Sequence, residues 1–226
     1  VAPKSEAQTT GLSNAQIIAK VRPAIISVET ATSSGSGVII DADGHILVAA
    51  HSIWTEDENK TVVGAPEKVL VTFSNGSKKT AKLIGIDEAR DIAILKITEK
   101  GPFSYIKQSH GSGMKQGDKA YIFGSPSTKG PASGGESFVS GTVSRKTLDA
   151  VEMTTDLKPL DNGGAMVSAN GEFVTIPDRS SCKVLEEMEK CLKYRISGIV
   201  VRDALPKVMA GMRLYTQKKN STAEEI

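Results

Sequence analysis

Three stretches of this sequence carry residue types that could act together on a reacting centre. In Leu47-Val48-Ala49-Ala50-His51-Ser52 a histidine directly follows a hydrophobic run. An imidazole that leaves a rigid strand there keeps its second nitrogen available to an orienting carboxylate. A histidine alone more often packs or sits in a loop, so a partner is needed. Arg90-Asp91-Ile92-Ala93-Ile94-Leu95 supplies an acid at the start of another apolar run, a costly position beside a core unless something pairs with it. The third stretch, Leu160-Asp161-Asn162-Gly163-Gly164, is a tight glycine-containing loop running into Ala165-Met166-Val167. Such loops can turn backbone N–H groups toward a ligand.

The elements that would position these residues are mostly strands. Residues 13–21 are amphipathic, with Ile17, Ile18 and Val21 on one side, Ser13 as N-cap and Pro23 as the stop. Strands follow at 24–29, 35–40 and 46–50, the last two joined by the turn Asp41-Ala42-Asp43-Gly44 as a hairpin. A second hairpin is predicted from 69–73 and 80–86 around Asn75-Gly76. Further strands are expected at 91–97, 119–123, 137–145, 151–155, 165–167, 172–176 and 194–201, with a closing helix at 203–212. About a dozen short strands with turn signals every 8 to 12 residues argue for a barrel or sandwich.

Composition narrows the partners. The chain has 226 residues, 39% hydrophobic and 4% aromatic, enough for one large β domain or two small ones. A formal charge of +2 with interspersed signs gives no footprint for nucleic acid or an anionic membrane. No apolar run approaches the roughly 20 residues that span a bilayer. Residues 1–10 read as a linker left after removal of a signal or anchor segment. Cys182 and Cys191 flank Leu185, Met188 and Leu192 at helical spacing, with Ser180 or Ser181 as N-cap. In one unbroken helix they would stand about 13 Å apart, beyond disulfide reach. Either the helix stops short of one of them, or both are free thiols. The three histidines have no metal-site spacing, and no cofactor is expected. Asn75-Gly76-Ser77 and Asn220-Ser221-Thr222 match a glycosylation sequon, the first equally explained as a turn. Trp54 is expected to pack beneath the His51 segment.

Five motifs in fixed order then make the pattern specific. They are Ser34-Gly35-Ser36-Gly37-Val38-Ile39-Ile40, Ala49-Ala50-His51, Asp91-Ile92-Ala93, Val139-Ser140-Gly141-Thr142-Val143-Ser144, and Thr155-Asp156 ahead of Gly163-Gly164. Over residues 13–214 the chain resembles the HtrA, or Do-like, branch of trypsin-like serine proteases. The resemblance implies an all-β, trypsin-like double β-barrel with a short N-terminal helix and a C-terminal helix. Residues 1–12 would be a flexible linker, the barrel boundary would fall near 101–117, and 215–226 would form a tail. His51 then looks like the general base and Asp91 like its orienting carboxylate.

The family's nucleophile is missing from this pattern. The resemblance places Asn162 at the serine position, and an amide nitrogen has no lone pair with which to form an acyl-enzyme. Leu160 stands where the family has the glycine whose amide helps form the oxyanion hole, in a loop with Asp161 and Gly163, and the segment between Asp156 and Gly163-Gly164 is two residues shorter than the family's. Ser133-Gly134-Gly135 and Ser168 are the relocated nucleophiles weighed against this, the first reading as a surface turn. The expectation is a pseudoprotease that binds a polypeptide or protein partner. The alternative is an active HtrA-type endopeptidase, or an inactivated form of one, acting on unfolded polypeptide. The resemblance also implies an extracytoplasmic location, periplasmic or in an organellar lumen, and makes a homotrimer conceivable.

Overall fold

The computed structural model describes residues 11–56, 62–87, 91–107, 114–125, 137–146, 150–154, 164–177 and 195–199. Helix α1, Asn14–Val21, starts at Ser13, whose Oγ accepts from Gln16 N–H while Gln16 Oε1 accepts from Ser13 N–H. That capping box satisfies two backbone donors that the helix itself cannot. Ile17 and Val21, one turn apart, are fully buried. Pro23 does not stop the chain outright. Arg22–Ala24 continues as a 3₁₀ turn, because proline in a first turn has no hydrogen bond to lose.

The strands that follow are β1 (Ile25–Glu29), β2 (Ser34–Ile39), β3 (His45–Ala49), β4 (Thr55–Glu56), β5 (Val62–Gly64), β6 (Lys68–Phe73), β7 (Lys78–Asp87) and β8 (Ile92–Ile97). All but the β4–β5 ribbon close into a barrel in the order β1-β2-β3-β8-β7-β6. Both predicted hairpins are present, β2 with β3 and β6 with β7. In the second, Phe73 N–H donates to Ser77 O at 2.9 Å and Asn75 Oδ1 accepts from Ser77 N–H. The ribbon was not legible in the strand pattern, being two residues against three.

The second sheet consists of β9 (Lys119–Gly124), β10 (Ser137–Lys146), β11 (Ala150–Thr154), β12 (Ala165–Ser168), β13 (Phe173–Thr175) and β14 (Arg195–Ile199), in the order β13-β12-β9-β10-β11-β14. The architecture is the expected all-β double barrel. The helices expected at 182–192 and 203–212, both cysteines, His110, Ser133-Gly134-Gly135 and Asn220 lie outside the described residues.

Pleat parity explains how the two sheets meet. Alternate residues of β9, β12 and β13 (Ala120, Ile122, Met166 and Val174) fill the second core with Val143 and Met153. Their neighbours Tyr121, Phe123, Ala165, Val167 and Phe173 join the core of the first barrel and α1 instead. Those strands are therefore buried on both faces, which is why their central residues are apolar without alternation. Phe123 sits edge-on to Phe138, with ring centroids 5.1 Å apart, and under the Arg22 guanidinium at 5.9 Å.

Candidate active site

His51 sits one residue beyond the expected strand end, on a 3₁₀ turn, Ala50–Ile53. Strand β3 stops at Ala49, where its pairing with β8 ends at Ile92. The chain immediately before Ile92 is Asp91, so closing the β3–β8 ladder brings the histidine and the acid to the same end of the barrel. Sequence order alone, with the two 40 positions apart, does not predict that meeting.

Three hydrogen bonds fix Asp91. Its carbonyl accepts from Ala50 N–H at 3.0 Å. Its Oδ1 accepts from His51 N–H at 2.9 Å, and its Oδ2 lies 2.5 Å from His51 Nδ1. An ionised carboxylate can only accept, so Nδ1 carries the shared proton and, in a neutral ring, Nε2 carries the lone pair. Asp91 also holds φ at 52°, a left-handed conformation that aspartate tolerates better than most residues with a Cβ. Both side chains are partly exposed, 34% for His51 and 27% for Asp91, so the pair sits at the surface rather than in a core.

The turn is seated against β2. Ser52 is buried and lies over Gly35, where a Cβ would stand 2.6 Å from Ser52 Cβ and overlap its Oγ. Only glycine leaves room for that approach. Trp54 is half-buried against the first core, and its carbonyl accepts from Ser33 Oγ at 2.5 Å. On the other sheet Gly164 precedes β12 with φ at 87°, and a Cβ there would overlap Phe123 O. Leu160, Asp161, Asn162 and Gly163 lie outside the described residues.

The remaining candidates are placed elsewhere. Ser168 ends β12, and its Oγ accepts from Asn170 N–H and Glu172 N–H at 3.3 Å each, as a turn cap. His45 pairs with Asp41 at 2.6 Å inside the β2–β3 turn, with Asp41 Oδ1 also accepting from His45 N–H. A cleft of about 660 Å³ runs between the start of α1 and Met114, Tyr121 and Glu172, and neither His51 nor Asp91 lines it. No cluster of three metal-ligating side chains occurs among the described residues. None of the described helices is long and apolar enough to cross a membrane. Sequence reading missed the roles of Gly35 and Ser36. The signal was there in Ser34-Gly35-Ser36-Gly37, since small residues inside a strand mark a close backbone approach.

Comparison with known proteins decides the family, because a model of the trypsin-like peptidase domain matches residues 35–176. The chain belongs to the trypsin-like peptidase family. Within it the relatives are HtrA proteins. Serine endoprotease DegS of Haemophilus influenzae is 28% identical over 187 residues, covering 80% of this chain and 51% of its own. Periplasmic serine endoprotease DegP of Escherichia coli K12 is 32% identical over 152 residues, covering 63% of this chain and 29% of its own. The solved structure "HtrA-type protease AlgW with tripeptide" superposes with a TM-score of 0.65 at 24% identity, covering 86% of this chain and 62% of that one. This HtrA-like chain thus spans about half the length of the first of these curated relatives and under a third of the second.

Proposed function

We propose that this chain is a trypsin-fold domain of the HtrA type that binds polypeptide without cutting it. In this reading His51 is the residual general base and Asp91 its orienting carboxylate, while Asn162 occupies the nucleophile position. The observation that carries the reading is Asn162 itself, in a loop that also has Leu160 in place of glycine. Acyl transfer needs an oxygen or sulfur nucleophile whose proton the imidazole can take, and a carboxamide offers neither. Losing one oxyanion donor typically costs about 100- to 1000-fold in turnover, so the loop is altered in more than one requirement.

What remains supports binding. The partly exposed edge at His51 and Asp91 leaves room for an extended peptide, and relatives named as endoproteases, with a structural neighbour named as an HtrA-type protease with tripeptide, support polypeptide as the ligand class. By the same likeness we place the protein outside the cytoplasm, since one relative is titled periplasmic. Assembly as a trimer belongs to the same proposal.

The competing reading is an active HtrA-type endopeptidase, and the intact hydrogen bonding of His51 to Asp91 favours it. A fluorophosphonate probe separates the two. Absence of labelling, with no cleavage of denatured casein, is expected for the binding role. Stoichiometric labelling of any serine would overturn it. The Asn162→Ser variant is expected to stay unlabelled as well, because Leu160 and the shorter loop remain.

A further inference from the structure

The contact between the two sheets is almost wholly apolar, contributed by Phe123, Ala165, Val167 and Phe173 on one side and the first-barrel core on the other. Apolar contact is non-directional and tolerates sliding. Among the described residues, the buried Ser36 side chain adds a polar link to it. Ser36, 1% exposed on β2, accepts at Oγ from Ser125 N–H at 2.9 Å and donates from Oγ to Ser125 O at 3.4 Å. Its backbone carbonyl accepts from Gly164 N–H at 3.1 Å. A single residue of the first barrel thereby holds the chain just after β9 and the chain just before β12.

The position of Ser36 links these anchors to the histidine. Its neighbour Gly35 lies under Ser52, the residue after His51. Gly164 is in turn pressed against the carbonyl of Phe123, two residues before Ser125, in a conformation that requires glycine. The run His51, Ser52, Gly35, Ser36, Gly164 is thus a chain of close contacts crossing from one sheet to the other, and only the Ser36 link is directional through a side chain. We propose that Ser36 is a positioning residue that sets the register of the second sheet, at Ser125 and Gly164, against the turn carrying His51. The inference rests on the reading of His51 as part of the binding site.

Amide hydrogen exchange on the intact chain tests it, with Ser36→Ala, the near-isosteric Ser36→Cys and the hydroxyl-bearing Ser36→Thr. The Ser125 amide loses its acceptor in the alanine variant and keeps only a weak sulfur acceptor in the cysteine variant. The Gly164 amide bonds to the backbone of Ser36, so it keeps its acceptor chemically and responds only if the sheets shift. Exchange at both amides is expected to rise about tenfold in the alanine and cysteine variants, with the β3 amides unchanged, and to return in the threonine variant. Faster exchange at Ser125 alone would overturn the proposal, and so would a uniform rise across both sheets, which marks a merely structural serine. Retention of denatured, carboxymethylated casein is measured alongside, and the same two variants are expected to weaken it about tenfold. A wild-type chain that retains no casein overturns the binding role and leaves the exchange result standing.

Discussion

Asp91 contributes through its backbone as much as through its charge. Two of its three hydrogen bonds go to main-chain N–H groups, of Ala50 and His51, and its own φ of 52° is one that alanine adopts poorly. Asp91→Ala is therefore expected to destabilise the fold by about 3 kcal/mol, from lost acceptors plus left-handed strain. Asp91→Asn keeps one acceptor and the tolerated backbone, and about 1 kcal/mol is expected. Urea denaturation followed by Trp54, the single tryptophan, measures both. A second pair acts by volume. Gly35→Ala drives a methyl into Ser52 and is expected to cost about 1–3 kcal/mol, part of which Ser52→Gly in the same chain recovers. Strict additivity of the two changes would show that the contact is not tight.

Helix α1 and the two hairpins were legible in the sequence because each depends on local signals. The helix carries its own start signal in Ser13 and Gln16, and its own burial pattern in Ile17 and Val21. Removing these should be felt separately: about 1 kcal/mol for Ser13→Ala, and about 2–4 kcal/mol for Ile17→Ala, by thermal or urea unfolding. The hairpins carry turn residues between alternating strands. The sequence was less informative where geometry is set at a distance. Strand β3 was carried one residue too far at its C-terminal end because Ala50 is as apolar as Ala49, and nothing local marks the change to a 3₁₀ turn. Closure of β1 on β6 and of β3 on β8 joins segments far apart in the chain, which periodicity does not encode. The meeting of His51 and Asp91 depends on that closure, so the pair was reached through resemblance. Ser36 stayed without a role for the same reason, since Ser125 is 89 residues away.

For the whole molecule, the relevant fact is that strands β9, β12 and β13 of the second sheet have two buried faces and give one of them to the first barrel. Tyr121, Phe123 and Phe173 belong to the same core as Ile26 and Leu47. The sheets should consequently unfold together: Trp54 fluorescence, reporting the first barrel, and circular dichroism, reporting the entire chain, are expected to give one coincident urea transition. Two resolved transitions would mean that the shared core contributes little. Phe123→Ala, which removes a fully buried ring at the junction, is expected to lower the common midpoint by about 3–5 kcal/mol of stability rather than split it. Asp91 has a wider consequence at this scale. Its bonds to Ala50 and His51 tie the end of β3 to the start of β8, beyond the last rung of their ladder. A lineage that abandoned cleavage would still be held to an aspartate and its histidine neighbour by selection for a closed barrel. Survival of that pair in a genome-wide search is accordingly testimony to an intact scaffold, and hydrolysis has to be demonstrated by other means.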